Sequence, residues 1–324
     1  MLLCIMNISL NAGFFSSAIR VPVMEPIRSL VRTSDISTGG TRYALALQSE
    51  DFSVMYPGMV RFTLTVTGGE RMIAVFRTNS YEYSPLVPLA AEKVAIQKAE
   101  EWEREIRNNP MVFMLNHQQK LPVHPAASVS DLVVIQGSPR ANGNCSILAS
   151  WAVDAAHQLG RTAQVIYPHD MDIRCCIGCY QCYNTGSCVF DDDMTGIIGA
   201  IRAASLLVVC SPVYTNTVPG GLKLVLDRCQ AYHAERVLSG GPKGQHGLIF
   251  SVAGRKGKEN FTCTTKVISA FLNNLGIKPE GEILIDRVDA IRDIRTIAGL
   301  EQNVKEKVKQ YLGRGKTSDK IADE

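Results

Sequence analysis

A chain of 324 residues exceeds one ordinary domain and leaves room for two. With 46% hydrophobic and 20% charged residues it has the composition of a soluble globular protein, and a net charge of +3 is too small to argue for a nucleic-acid or membrane-surface partner. Ten cysteines without a secretory context point to a reducing, cytoplasmic compartment, where thiols stay available for metals or redox chemistry.

Residues 2–19 are fairly apolar but broken by Asn7, Asn11 and three serines, with no preceding positive charge and no cleavage motif. A leader, docked or poorly ordered, is expected there rather than a signal peptide or membrane span. Strands are expected at 42–48, 59–66 and 71–77, with Thr67-Gly68-Gly69-Glu70 as a hairpin connection. The spacing of Ala91, Ala95, Ala99, Trp102 and Ile106 predicts a long helix over 86–107 with one apolar face. Asn108-Asn109-Pro110 stops it, and 111–115 reads as another strand. A Pro/Ala/Ser linker at 122–130 follows. Residues 1–128 therefore read as a small α+β domain that carries no chemical motif.

From residue 129 onward, strand and helix signals alternate. Short apolar strands are expected at 131–136, 162–166, 205–210, 247–252 and 282–285. Helices are expected between and after them, at 144–159, 194–204, 220–232, 261–275 and 299–312. This predicts an α/β domain over 129–324, a doubly wound five-stranded parallel sheet covered on both faces. The loops at Gly137, Pro212 and Gly254 all leave strand C-termini, where such sheets bind ligands.

The first of these loops, Gly137-Ser138-Pro139-Arg140-Ala141-Asn142-Gly143-Asn144-Cys145-Ser146, joins a strand to a helix. Its backbone amides, small polar side chains and helix N-terminus suit a phosphate. It has neither the lysine of a nucleoside-triphosphate loop nor a G-x-G-x-x-G fingerprint, so a terminal monophosphate such as that of FMN fits best.

Four cysteines, Cys176, Cys179, Cys182 and Cys188, are spaced C-x2-C-x2-C-x5-C within loop 175–188. Such density suits an iron–sulfur cluster, a zinc ion or metal-free redox thiols. Four thiolates match the ligand count of a [4Fe–4S] cluster, whereas structural zinc more often takes two separated pairs. Cys175 could replace Cys176 as a ligand or form a thiol pair with it. Cys145, at a helix start, is a candidate for a lowered pKa, while Cys4, Cys210, Cys229 and Cys263 read as buried apolar residues. Asp191-Asp192-Asp193 reads as helix capping and Arg255-Lys256-Gly257-Lys258 as a solvated basic loop. His117, His124, His169, His233 and His246 show no metal-pair spacing.

Taken together, Ser138-Pro139-Arg140…Gly143-Asn144, the cysteine run ending in Asp192-Asp193-Met194, and Ser211-Pro212-Val213-Tyr214…Lys223…Asp227-Arg228 resemble the flavodoxin-fold NADPH-dependent FMN reductase family. The cysteine spacing resembles its iron–sulfur flavoprotein branch, and the resemblance spans about residues 130–312. It implies a flavodoxin-like sheet and an FMN whose phosphate is held by Ser138, Arg140 and Asn144. Cys145 stands where the family often has threonine, with Ser146 beside it. The resemblance also implies that Pro212, Val213, Tyr214 and Thr215 border the isoalloxazine and that Gly254 opens the third loop. Lys223 and Asp227-Arg228 would fix the helix and sheet edge.

The activity expected is that of a flavoprotein oxidoreductase. Electrons would pass from a ferredoxin-like donor or NAD(P)H, through a [4Fe–4S] cluster on the four cysteines and through FMN, to an acceptor such as a quinone. No side-chain general acid or base is evident. A homodimer or homotetramer is implied by the resemblance. The alternatives are a clusterless NAD(P)H-dependent FMN or quinone reductase, and a non-catalytic flavin or zinc protein that docks through residues 1–128.

Overall fold

The computed structural model describes residues 26–313, except 55, 70, 85, 88, 118–129, 240 and 242–243. The expected leader, Cys4, Glu70 of the hairpin connection and almost all of the 122–130 linker lie outside the described residues.

The chain opens with an antiparallel meander of β1 (Ile27–Thr38), β2 (Thr41–Asp51), β3 (Val60–Gly68) and β4 (Arg71–Asn79), paired in that order. β1 escapes the sequence pattern because it is a charged edge strand with a register shift between Leu30 and Arg32, which spoils the period-2 alternation. Helix α1 (Ala90–Asn108) lies on one face of this sheet. Its buried residues are Ala91, Ala95, Ala99, Trp102 and Ile106, and they pack against Leu45, Leu64, Val66 and Ala74. The helix starts later than expected because Leu89 takes a left-handed conformation at φ +58°.

The strand expected at 111–115 is instead part of helix α2 (Pro110–His117). Asn109 caps it, accepting the Val112 N–H at 3.1 Å, and Pro110 supplies the backbone angle suited to a first helical turn. The same Asn-Pro pair thus ends one helix and starts the next.

The second sheet is built from β5 (Leu132–Gln136), β6 (Ala163–Ile166), β7 (Leu206–Pro212), β8 (His246–Val252) and β9 (Lys278–Ile285). All pairs are parallel, in the order β6-β5-β7-β8-β9. The helices in chain order are α3 (Asn144–Gln158), α4 (Cys182–Thr185), α5 (Met194–Ala203), α6 (Gly220–Arg228), α7 (Gln230–Ser239), α8 (Thr262–Asn274), α9 (Val288–Ile291) and α10 (Leu300–Leu312). The helix expected over 220–232 divides at Cys229 into α6 and α7.

Strand side chains alternate between two cores. Leu132, Val134, Leu206 and Val208 face α3 and α10, while Val133, Ile135, Leu207 and Val209 face α5, α6 and α8. A sheet buried on both sides explains why these strands read as continuous apolar runs. A smaller apolar cluster joins Phe52 and Met59, in the connection between β2 and β3, to Tyr183 of α4 and Ala234 of α7.

Candidate functional site

The Gly137 loop leaves β5 beside the end of β7, and the Gly137 N–H donates to the Cys210 carbonyl at 2.8 Å. A Cβ at this position would lie 2.6 Å from Leu222 Cδ2 and 3.1 Å from the Cys210 oxygen, so this close approach calls for glycine. Two residues that carry no sequence signal of function shape the turn. Gln136, fully buried, accepts the Ser138 N–H at 2.6 Å and donates to Ser146 Oγ at 2.8 Å, which staples the strand end to the helix start. His169 Nε2 donates to the Gly137 carbonyl at 3.2 Å.

The residues expected to meet a phosphate divide into holders of the loop and groups open to solvent. Ser138 Oγ accepts the Arg140 N–H at 3.2 Å, and Ser146 Oγ donates to the Arg140 carbonyl at 3.2 Å. Asn144 Oδ1 accepts the Ile294 N–H at 3.3 Å, while the Arg140 side chain is exposed. The bonds of α3 begin with Ser146 and Ile147, whose N–H groups donate to the Gly143 carbonyl at 2.9 and 3.2 Å, and the Asn144 and Cys145 N–H groups before them lie at the positive end of a 15-residue helix. Cys145 corrects the expectation of a reactive thiol. It is 1% exposed in the core, and burial pushes its thiol up to about 12, so it stays protonated and turned away from the loop.

The other two loops meet next door. Val213, Thr215 and Gly254 line one cavity of about 540 Å³ with Asn216, Ala253 and Arg255. The Val213 N–H donates to the Val252 carbonyl at 2.9 Å, tying the two strand ends together. Pro212 is buried at the end of β7, and Tyr214 is half-exposed beside the cavity loop. Tyr214 and Thr217 exchange backbone hydrogen bonds of 2.8 and 3.0 Å across a turn in which Thr215 has φ +47° and Asn216 φ +65°. A β-branched residue in the left-handed region is strained, and such strain concentrates at binding loops. A helix start lined by small polar groups, with a cavity at the adjacent strand ends, fits a phosphate-bearing flavin.

The cysteine loop occupies a different corner. All nine described cysteines are free. Cys176, Cys179, Cys182 and Cys188 line a single cavity of about 840 Å³, whereas Cys175 is exposed and outside it. Burial, and then the neighbouring Cys179, Cys188 and Cys176, push the Cys182 thiol up to about 12. Among the described residues, no group of three or more His, Cys, Asp or Glu is placed to hold a metal ion as it stands. The donor set fits an iron–sulfur cluster in type and number, and the thiols have to draw in to bind one. Of the remaining cysteines, Cys210 and Cys229 are buried as expected, but Cys263 is exposed.

The acidic run anchors this loop as well as capping α5. Asp192 accepts the Met194 N–H at 3.2 Å and the Arg174 N–H at 3.1 Å. It also pairs with Arg228 through two bonds of 2.6 and 2.9 Å, with both side chains inaccessible. Burial alone would raise the Asp192 carboxyl, but the hydrogen bonds from Arg228, Arg174 and Met194 hold it below its ordinary value. Arg228 donates in addition to the Arg174 carbonyl at 2.7 Å, lies over the Phe190 ring at 5.1 Å and is within electrostatic reach of Cys188. Lys223 pairs with Asp227 one turn along α6 at 2.7 Å.

Residues 130–287 match the NADPH-dependent FMN reductase family. An iron–sulfur flavoprotein of Methanosarcina thermophila is 34% identical over 94 residues, covering 29% of this chain and 49% of that protein. One from Methanocaldococcus jannaschii is 34% identical over 97 residues, covering 30% and 50%. One from Archaeoglobus fulgidus is 28% identical over 153 residues, covering 46% and 65%. The chain thus spans about half the length of the first two relatives. The glycine-shaped loop, the Val213–Gly254 corner and the four-thiol cavity all belong to the segment that matches the NADPH-dependent FMN reductase family, and the relatives similar to it are iron–sulfur flavoproteins.

Proposed function

We propose that this protein is an FMN-containing iron–sulfur oxidoreductase that moves electrons between a ferredoxin-like donor or NAD(P)H and a small oxidised acceptor. The observation that carries the reading is the shared cavity of Cys176, Cys179, Cys182 and Cys188 in the same domain as the Gly137 loop and the Val213–Gly254 corner. The N–H groups at the start of α3, with Ser138, Arg140, Asn144 and Ser146, hold the FMN phosphate. Pro212, Val213, Tyr214, Thr215 and Gly254 border its ring. The four cysteines ligate a [4Fe–4S] cluster. FMN exchanges electrons singly or in pairs and a cluster singly, so the protein's part is to hold both groups and keep water from the thiols. The assembly is a homodimer or homotetramer in a reducing, cytoplasmic compartment. No helix among the described residues is long and apolar enough to cross a membrane.

Anaerobic purification with assays of FMN, iron, acid-labile sulfide and zinc tests this reading. The expected result is one FMN with about four iron and four sulfide per chain. One second reading needs only the Gly137 loop and the Val213–Gly254 corner and not the thiols, a clusterless NAD(P)H-dependent FMN or quinone reductase. FMN without iron after cluster reconstitution, with rapid bleaching by NADPH, would select it.

A further inference from the structure

Between Asp170 and Gln181 the chain forms neither helix nor strand, and the four-residue α4 follows. Backbone carbonyls in such a loop need outside donors. Two of the donors come from the first sheet, outside the matched domain. Arg61, held by Glu50 at 2.7 Å and almost fully buried, donates to the Tyr183 carbonyl at 3.2 Å. Asn79, fully buried at the end of β4, donates to Asn184 Oδ1 at 2.8 Å and to the Tyr180 carbonyl at 3.4 Å. Glu82 accepts from both Gln181 and Asn184 and also takes the Asn79 N–H at 2.8 Å.

Aromatic contacts seal the same junction. Tyr56 meets Tyr183 edge-on at 5.1 Å, and Tyr81 meets Tyr180 at 4.9 Å. His233 Nδ1 bonds the Asn274 carbonyl at 2.7 Å, so that nitrogen carries the proton and Nε2 accepts from the Tyr56 hydroxyl. Tyr56 and Tyr81 both line the cavity of the four cysteines.

We propose that the first sheet is a built-in cap of the cysteine centre. It sets the backbone of the 180–184 turn and walls the cavity, so that Cys179, Cys182 and Cys188 are screened. The rim at Cys176, Ile177 and Val189 remains exposed. Gln181, Asn184, Arg61, Asn79 and Glu82 are its positioning residues. The cap rests on the placement of the thiols, and only its consequence for iron rests on the cluster reading.

Thiol alkylation of the full chain, reduced and metal-free, tests it, with the rate at each cysteine read by mass spectrometry. In the wild type Cys175, Cys176 and Cys263 react first. The Gln181→Ala/Asn184→Ala variant raises the rates at Cys179 and Cys188 by about tenfold, the scale expected when a locally opening loop loses several hydrogen bonds. The rate at Cys263 stays unchanged. Asn79→Ala, made on the opposite side of the junction, reproduces the pattern. Unchanged rates at Cys179 and Cys188 in both variants, or an equal rise at Cys263, overturn the cap. In reconstituted protein the same variants lose iron to a chelator faster. A wild type that takes up no iron sinks the cluster reading alone and leaves the alkylation contrast as the measure of the cap.

Discussion

The Gly137 corner and the cysteine loop both lie in the matched segment but are built on opposite plans. The Gly137 loop hangs on the ends of adjacent strands, and its bonds to Gln136, Ser146, Cys210 and His169 stay within the matched residues. The cysteine loop has little regular structure of its own and borrows partners: Asp192 just before α5, Arg228 from α6, and Arg61, Asn79 and Glu82 from the first sheet and the turn that follows it. A site on strand ends inherits its geometry from the sheet. A site on a loop is only as well placed as the side chains that answer its carbonyls.

This contrast can be broken from either side. The largest effect is expected for Arg228→Ala, which leaves the Asp192 carboxylate buried without its cation and costs about 3–5 kcal/mol. Urea unfolding measures the loss, and an unchanged midpoint would mean that the pair does not organise the cysteine side. The folded chain holds the Asp192 carboxyl below its ordinary value, so the carboxylate favours folding at higher pH. Its contribution is complete above about pH 3.9 and fades as pH falls further, which makes the acid limb of the stability curve shallower in the variant.

A smaller effect, of about 1–3 kcal/mol, is expected for Gly137→Ala, because the added methyl presses on Leu222 and the Cys210 carbonyl. It should weaken FMN retention while leaving alkylation rates in the cysteine loop as they were; a change in both would erase the division between the two corners. The smallest effect belongs to Lys223→Ala, which removes a solvent-facing pair within α6. It should cost about 0.5 kcal/mol or less and spare both FMN and thiol reactivity.

Much of the second sheet was legible because its strands are buried on both faces, which leaves runs such as Leu132–Gln136 and Leu206–Pro212 almost wholly apolar. The four cysteines were legible by spacing alone. Gln136 and His169 were not, because a buried amide and a loop histidine gain their roles only when the chain folds back on itself. Arg61, Asn79 and Glu82 were hidden for the same reason, since each looks like an ordinary strand or turn residue. β1 was obscured by its charges and bulge, although Gly39-Gly40, both with positive φ, are a hairpin signal that its partner strand shares. At 111–115 a short apolar run suited either period, and the Asn109-Pro110 start decided for helix.

Helix α6 touches both corners at once. Leu222 abuts Gly137 near its start, and Arg228 grips Asp192 and the Arg174 carbonyl at its end. Arg228 lies six positions after Leu222, roughly 9 Å along the axis at 1.5 Å per residue. The helix therefore works as a ruler with a fixed phase: inserting one residue would lengthen it by about 1.5 Å and swing Arg228 through about 100° relative to Leu222. Side chains on its solvent side are free to vary, but its length is not, because one extra residue would misplace either the Gly137 turn or the arginine beside the cysteine loop.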